Sequence, residues 1–438
     1  MLKNDKGLVS LFLPIFFEIL FFMLAGMVDT LMLSTISDEC VGAVGTANTY
    51  ISMFILMFSI VSTGMMAVMT QNIGAEKKGV AYQARNVGLL FNLILSLPLS
   101  ICLFLFSEDL LVTIGISEAL KKPATTYMQI VGGACFLNGL IPVFSGYLRA
   151  FGHTKYPLFA TIVANIVNLV LNAIFLFVFH YGVAGVAFAT AISRVVNLCI
   201  VIGLSIKHVH AKQSPERIAV VKVFRQILQI GFPSALETLL YNVSMTLAIR
   251  FLNQMDVAGF NVAARAYAAQ IANFSFCAGA ALAQANAIII GWKVGRKEYG
   301  ECEKGTRKAW FFGILISACC SVLVALSAPL FIGSLTDNPQ MISVVSKLLW
   351  IDVILEFGRV TNLIYGNALK TCGDAICPVV LGVVFMFLCS VGGTYLLGIV
   401  MNMLVTGCYI ALTCDECFRG VGMILRWKSK KWQGKGLV

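Results

Sequence analysis

Charge is what this sequence has least of. Only 12% of its 438 residues are Asp, Glu, Lys or Arg, about half the share of an ordinary soluble domain. Against that, 59% are hydrophobic and the mean hydropathy is +0.87. A water-soluble globular fold is excluded, and an all-α polytopic membrane protein is what remains. Acidic residues are scarcer still, 21 against 32 basic ones, for a net charge of +11. That excess does not mark a nucleic-acid partner, because the basic residues sit in short segments between apolar runs and in the tail, as the positive-inside effect requires. The chain also lacks HExxH, GxSxG and GxxxxGK[ST], and has no extramembrane stretch large enough to hold a cofactor. These absences argue against a membrane enzyme and against ATP as a driving force. His153, His180, His208 and His210 form no convincing metal set. Nor is a cleavable leader indicated, since the first apolar run is long, contains Pro14 and lacks a small-residue cleavage site. The 14 cysteines lie mostly inside apolar runs and read as small buried hydrophobes; Cys319-Cys320 and Cys414-x-x-Cys417 are weak metal or redox signals.

What is present is a series of windows of about 20 apolar residues. They predict about twelve spans, near 8–34, 48–71, 86–106, 125–148, 158–180, 183–206, 231–253, 263–290, 308–332, 342–366, 376–397 and 399–418. With the N-terminus inside, every Lys and Arg falls on the inner side except Lys121, Lys122, Arg194, Arg250, Arg265, Lys347 and Arg359. Both termini are therefore expected in the cytoplasm. The longest polar stretch, Lys207 to Arg225, divides the chain. The expected organisation is a six-helix lobe at 1–206, a cytoplasmic linker at 207–226, a second six-helix lobe at 227–418 and a basic cytoplasmic tail at 419–438.

The first run carries two acids, Glu18 and Asp29. An ionised carboxylate at bilayer depth costs about 2.5–3.5 kcal/mol on insertion scales, so each is a functional candidate. Eleven residues apart, they return to nearly the same helix face about 16 Å apart along the axis. The middle of the chain begins again in the same manner, with Pro233 and Glu237 standing as Pro14 and Glu18 do. After the second span, QNIGAEKKGVAYQAR is answered by AIIIGWKVGRKEYGEC, aligning Gly74 with Gly291 and Tyr82 with Tyr299 at an offset of 217. After the fourth, YLRAFGHTKYP is answered by ALKTCGDAICP, aligning Gly152 with Gly373 and Pro157 with Pro378 at an offset of 221. These are parallel repeats, a known plan for transporters with alternating access.

Together GMVDTLMLS (26–34), VGAVGTAN (41–48), QNIGA (71–75), LRAFGHTKYP (148–157), GVAGVAFATAIS (182–193), LKTCGD (369–374) and DECFRG (415–420), in this order and spacing, resemble the multidrug and toxic compound extrusion family. The resemblance implies two pseudo-symmetric six-helix lobes in a V, and export of organic solutes, often amphipathic cations, against inward flow of H+ or Na+. It implies no other cofactor, small organic molecules and the lipid bilayer as partners, and a plasma-membrane location; function as a monomer is the expectation, though the sequence itself does not fix the oligomeric state. It also implies a cation-coupling site in the first lobe. Asp29 matches the first-helix acid, Asn168 and Asn172 the fifth-helix pair, and Thr190 the sixth-helix hydroxyl. Related proteins often carry a second acid where this chain has Asn172.

The residues support that site independently. Asn165, Asn168 and Asn172 fall at i, i+3 and i+7, one face of an otherwise apolar helix. A carboxylate, two amide oxygens and a hydroxyl suit a small cation such as Na+ at Asp29, and a carboxylate removed from water is equally suited to a proton. The alternative is that the asparagines only hydrogen-bond neighbouring helices. In the second half, Asp352, Glu356 and Arg359 share one face of the tenth span, with Glu237 and Arg250 on the seventh and Arg265 on the eighth. With Glu18, these charges are either a substrate or proton pathway or a salt-bridge network locking the lobe. Arg359 stands where better-known drug exporters can carry an acid. Arg194 reads as a helix–helix or interfacial partner. The competing functions are a flippase of lipid-linked precursors, whose phosphate the second-half arginines would grip, and a non-transporting membrane sensor or a membrane enzyme.

Overall fold

The computed structural model describes residues 7–113, 116–210, 216–255, 259–333 and 338–438. Residues 1–6 of the expected first lobe and 211–215 of the expected linker lie outside the described residues. Among the described residues the chain is helical with short turns and no strand. The first half contains α1 (Leu8–Ser34), α2 (Asp38–Gly74), α3 (Lys78–Leu105), α4 (Ser107–Thr113), α5 (Glu118–Tyr127), α6 (Phe136–Ala150), α7 (Lys155–Ala173) and α8 (Gly182–His208). The second contains α9 (Val220–Met255), α10 (Phe260–Gly295), α11 (Tyr299–Gly333), α12 (Pro339–Thr371), α13 (Ile376–Phe385) and α14 (Leu404–Lys428).

Eight helices are long and apolar enough to cross a membrane, and Leu120–Gly132 with Phe136–Ala150, bent by 41°, makes a ninth. α9, α12 and α14 have the length, 36, 33 and 25 residues, but carry charges along it. At 1.5 Å per residue even the shortest reaches about 38 Å, beyond the ~30 Å hydrocarbon core. With these three the twelve expected spans are all present. Their outer faces are apolar, as at Leu330, 82% exposed, which only a lipid environment tolerates. α10 is the exception, two-thirds (67%) buried along its most apolar stretch, and so forms the centre of its half. The bend between α5 and α6 has a local cause: the Phe136 N–H leaves the helical ladder and donates to Ser100 Oγ on α3 at 2.7 Å.

The repeat is structural. α2 ends at Gly74 and α10 at Gly295, each followed by a non-glycine residue in the left-handed region, Glu76 (φ 62°) and Lys297 (φ 61°). Both lie 221 residues apart, so the glycine and tyrosine match at an offset of 217 is corrected: Gly74 corresponds to Gly295, in step with Gly152 (φ 78°) and Gly373 (φ 93°) in the later turn. The fifth span of each half ends in a π-helical stretch, Ile174–Val178 and Thr394–Val400. Tight turns through His180 and Asn402, both at positive φ, follow.

The chain forms two compact units, Phe17–Phe232 on one hand and Met1–Phe16 with Pro233–Val438 on the other. The division falls inside α1 and α9, next to Pro14 and Pro233. In the Phe17–Phe232 unit the start of α9 lies hard against α2. A side chain on Gly64 would sit 2.0 Å from the Ile227 carbonyl oxygen, and one on Gly231 1.8 Å from that of Ile60. In the other unit α14 runs ten residues past the last expected span, and the tail folds back. Trp432 stacks on Trp427 at 4.2 Å, while Asp374 accepts from Arg426 at 2.7 Å and from Lys435 at 2.8 Å.

Candidate functional site

In the Phe17–Phe232 unit, the polar face of α7 lies along α1. Asn165 Nδ2 donates to the Phe21 carbonyl at 2.8 Å, and one helical repeat further on Asn172 Nδ2 donates to Asp29 Oδ1 at 2.6 Å. The same Asn172 amide reaches Asn168 Oδ1 at 3.3 Å. The i, i+3, i+7 pattern thus splits its work: Asn165 holds backbone, while Asn168 and Asn172 build a hydrogen-bonded chain ending on the acid. Both are buried, and among the described residues no donor reaches Asn172 Oδ1.

α8 supplies the opposite wall. Thr190 Oγ1 donates to the Val186 carbonyl at 2.9 Å, which turns its lone pairs outward. The hydroxyl of Tyr127, buried at the end of α5, lies close to both Thr190 and Asn48. Arg194, one turn beyond Thr190, places its charge near Asp29 and near Tyr127. The structure therefore joins Asp29, Asn172 and Asn168 by hydrogen bonds, while Thr190 lies beside Tyr127 with Asn48, and Arg194 is near both Tyr127 and Asp29. Tyr127 and Asn48 had no charge or spacing to single them out. Among the described residues no three His, Cys, Asp or Glu side chains gather as a metal cage, so a metal ion here would rest on Asp29 with neutral oxygens.

Glu18, on the same face of α1, is paired with Arg149 at the end of α6. In the other unit Glu237 pairs with Lys370 at 2.6 Å, and Arg250 is exposed on α9. The remaining charges meet where α12 crosses α14. Gly358 and Gly420 make that crossing close, for a side chain on Gly358 would come within 2.6 Å of the Cys417 backbone nitrogen. Glu356 is held by Arg359 and by Ser317 Oγ at 3.1 Å. Arg419 forks onto Asp415 at 3.0 and 2.9 Å and reaches Glu416 at 2.8 Å. Asn362 donates to Glu416 at 3.0 Å and Ser390 to Asp415 at 2.8 Å. Asp352 is buried one turn before Glu356, and among the described residues no ion pair forms on it. Asp415, Glu416 and Arg419 were not singled out from sequence; the clue was that DECFRG continues a helical apolar pattern instead of ending it.

A twice-repeated bundle of membrane-crossing helices, with one acid on a polar interhelical face, is the plan of a membrane transporter. The MatE family model matches residues 14–174 and 233–396, once in each half, and the chain belongs to that family. It is 35% identical over 438 residues to the uncharacterized transporter YisQ of Bacillus subtilis strain 168, spanning 99% of this chain and 96% of that one. It is 24% identical over 459 residues to the probable multidrug resistance protein NorM of Thermotoga maritima, spanning 99% and 94%. Among solved structures, a mutant of the Vibrio cholerae MATE transporter VcmN shares the fold with a TM-score of 0.90 over 98% of each chain, at 20% identity. The chain is a multi-pass membrane transporter of the multidrug-efflux type, not an enzyme.

Proposed function

We propose that the protein is a secondary antiporter that exports organic compounds, amphipathic and often cationic, in exchange for H+ or Na+ by alternating access. It works in the plasma membrane with both termini in the cytoplasm. The observation that carries the reading is the hydrogen-bonded chain Asp29, Asn172, Asn168, with Tyr127 and Arg194 near the acid. A proton or Na+ on Asp29 removes the charge that the Asn172 amide now serves, and so changes how α1 packs on α7 and α8. The ion biases the access states by its differential affinity for them. In the other unit we assign Glu356, Arg359, Asp415, Glu416 and Arg419 to an internal ion-pair lattice. Asp352 is left as the group to take a proton or a cationic substituent of a substrate. Commitment of Arg359 and Arg419 to carboxylates supports the exporter over a phosphate-gripping flippase.

The test is export of ethidium from proteoliposomes with a sodium gradient and a proton gradient imposed separately, wild type beside Asp29→Asn. Flux driven by one gradient and lost in the variant is the expected result. Gradient-driven flux that survives Asp29→Asn overturns the coupling role.

A further inference from the structure

The two halves share an ion pair as well as their turns. Glu18 follows Pro14 by four residues on α1, and Glu237 follows Pro233 by four on α9. Arg149 and Lys370 occupy the last turns of α6 and α12, at equivalent points of the repeat before Gly152 and Gly373. In each half the acid on the leading helix meets the base at the end of the fourth span: Glu18 with Arg149, and Glu237 with Lys370. All four side chains are largely sequestered, 12% and 21% exposed in the first pair and 12% and 16% in the second. One pair uses a guanidinium and the other an ammonium, so the repeat preserves the charge and not the bidentate fork.

The surroundings suit an anchor. Gly382 on α13 packs against Glu237, where a side chain would lie 3.1 Å from Oε1. On α1, the Glu18 pair and the Asn165 bond to the Phe21 carbonyl lie on the face that carries Asp29. A carboxylate that carries protons or cationic substrate must lose or share its charge, which here strands a sequestered base. We propose that Glu18–Arg149 and Glu237–Lys370 are repeat-equivalent positioning clamps. Each fixes the segment after the proline of its leading helix to the fourth span of its own half, and the first sets the register of α1 that presents Asp29. The last clause rests on the coupling role of Asp29; the clamps themselves do not.

The experiment exchanges the charges. Glu18→Gln, Arg149→Gln and the swap Glu18→Lys with Arg149→Glu are compared in full-length protein, with Glu237→Lys and Lys370→Glu as the matching set. Two readouts are taken: hydrogen exchange in detergent of backbone amides 17–34 for the first pair and 233–255 for the second, which needs no transported compound, and ethidium export. Each single change is expected to speed exchange in its own leading helix, α1 for the first pair and α9 for the second, at least tenfold without a matching change in α3 or α11, and to lower turnover more than it raises KM. The swap restores both to within about threefold. Because the swap removes the carboxylate from position 18, a proton- or substrate-carrying role predicts that export stays lost. Single variants with wild-type exchange, or a folded swap that recovers neither readout, overturn the clamp. Arg149→Lys and Lys370→Arg guard against a swap that fails to fold. Both must keep wild-type exchange, and loss in both is equally fatal. Asp29→Asn that still exports, beside a rescued swap, removes the coupling role and leaves the clamps standing.

Discussion

Arg419→Met tests the ion-pair lattice of the Pro233–Val438 region. The arginine is buried on α14 and makes three short contacts, at 3.0 and 2.9 Å to Asp415 and 2.8 Å to Glu416. Methionine keeps most of the apolar stem but leaves two buried carboxylates with only the neutral donors Ser390 and Asn362. Breaking a buried pair in this way costs about 3–5 kcal/mol. For a unit of this size, each kcal/mol moves the melting midpoint by about 2–4 °C, so a fall of about 6–20 °C is expected. The assay is thermal unfolding of the detergent-solubilised protein. Lys304→Met is the internal control, because its pair with Glu301 is 72% and 52% exposed and solvent screening leaves it almost no effect. Adding Asp415→Asn and Glu416→Gln to Arg419→Met should recover most of the loss, since the stranded charges are then gone. A midpoint for Arg419→Met close to wild type, or a shift equal to that of Lys304→Met, refutes the reasoning.

Two further outcomes follow from packing. Gly64→Val would drive a side chain into the Ile227 carbonyl, 2.0 Å from its first carbon; overpacking of this kind costs about 1–3 kcal/mol or more, seen as a lower melting midpoint, whereas Gly300→Ala, with open space around it, leaves the midpoint unchanged. Trp432→Ala removes the buried ring stacked on Trp427 and is expected to cost about 3–5 kcal/mol, with limited proteolysis then cutting after Lys428 where wild type resists.

The spans were legible because hydropathy reports directly on the bilayer, and the first-half site because three asparagines on one apolar face have few uses other than to meet polar partners. Tertiary partners were less legible. Nothing near Glu18 in sequence names Arg149, 131 residues away, until the repeat is used to ask what Glu237 pairs with. The loop after the second span misled for a physical reason. Glycine usually marks the left-handed residue after a helix, but here Glu76 and Lys297 take that conformation, so matching Gly74 to Gly291 aligned the wrong atoms. DECFRG was legible only as a motif: nothing in its sequence shows that the close crossing at Gly358 and Gly420 buries its three charges.

What the halves repeat and what they do not repeat divides along functional lines. The left-handed turns, the π-helical ends of the fifth spans, the prolines and the two clamps recur, and all of them shape or hold helices. The deeper charges do not recur. One half holds Asp29 on a chain of neutral amides, where gain or loss of a single charge is felt by α1, α7 and α8 together. The other holds carboxylates largely tied to Arg359 and Arg419, where loss of charge at one member strands its partners. Under the antiport proposed above, an ion shifts the access states only by its differential affinity for them, and Asp29, served by the neutral Asn172 amide, is an acid whose charge such an ion would cancel without breaking an ion pair.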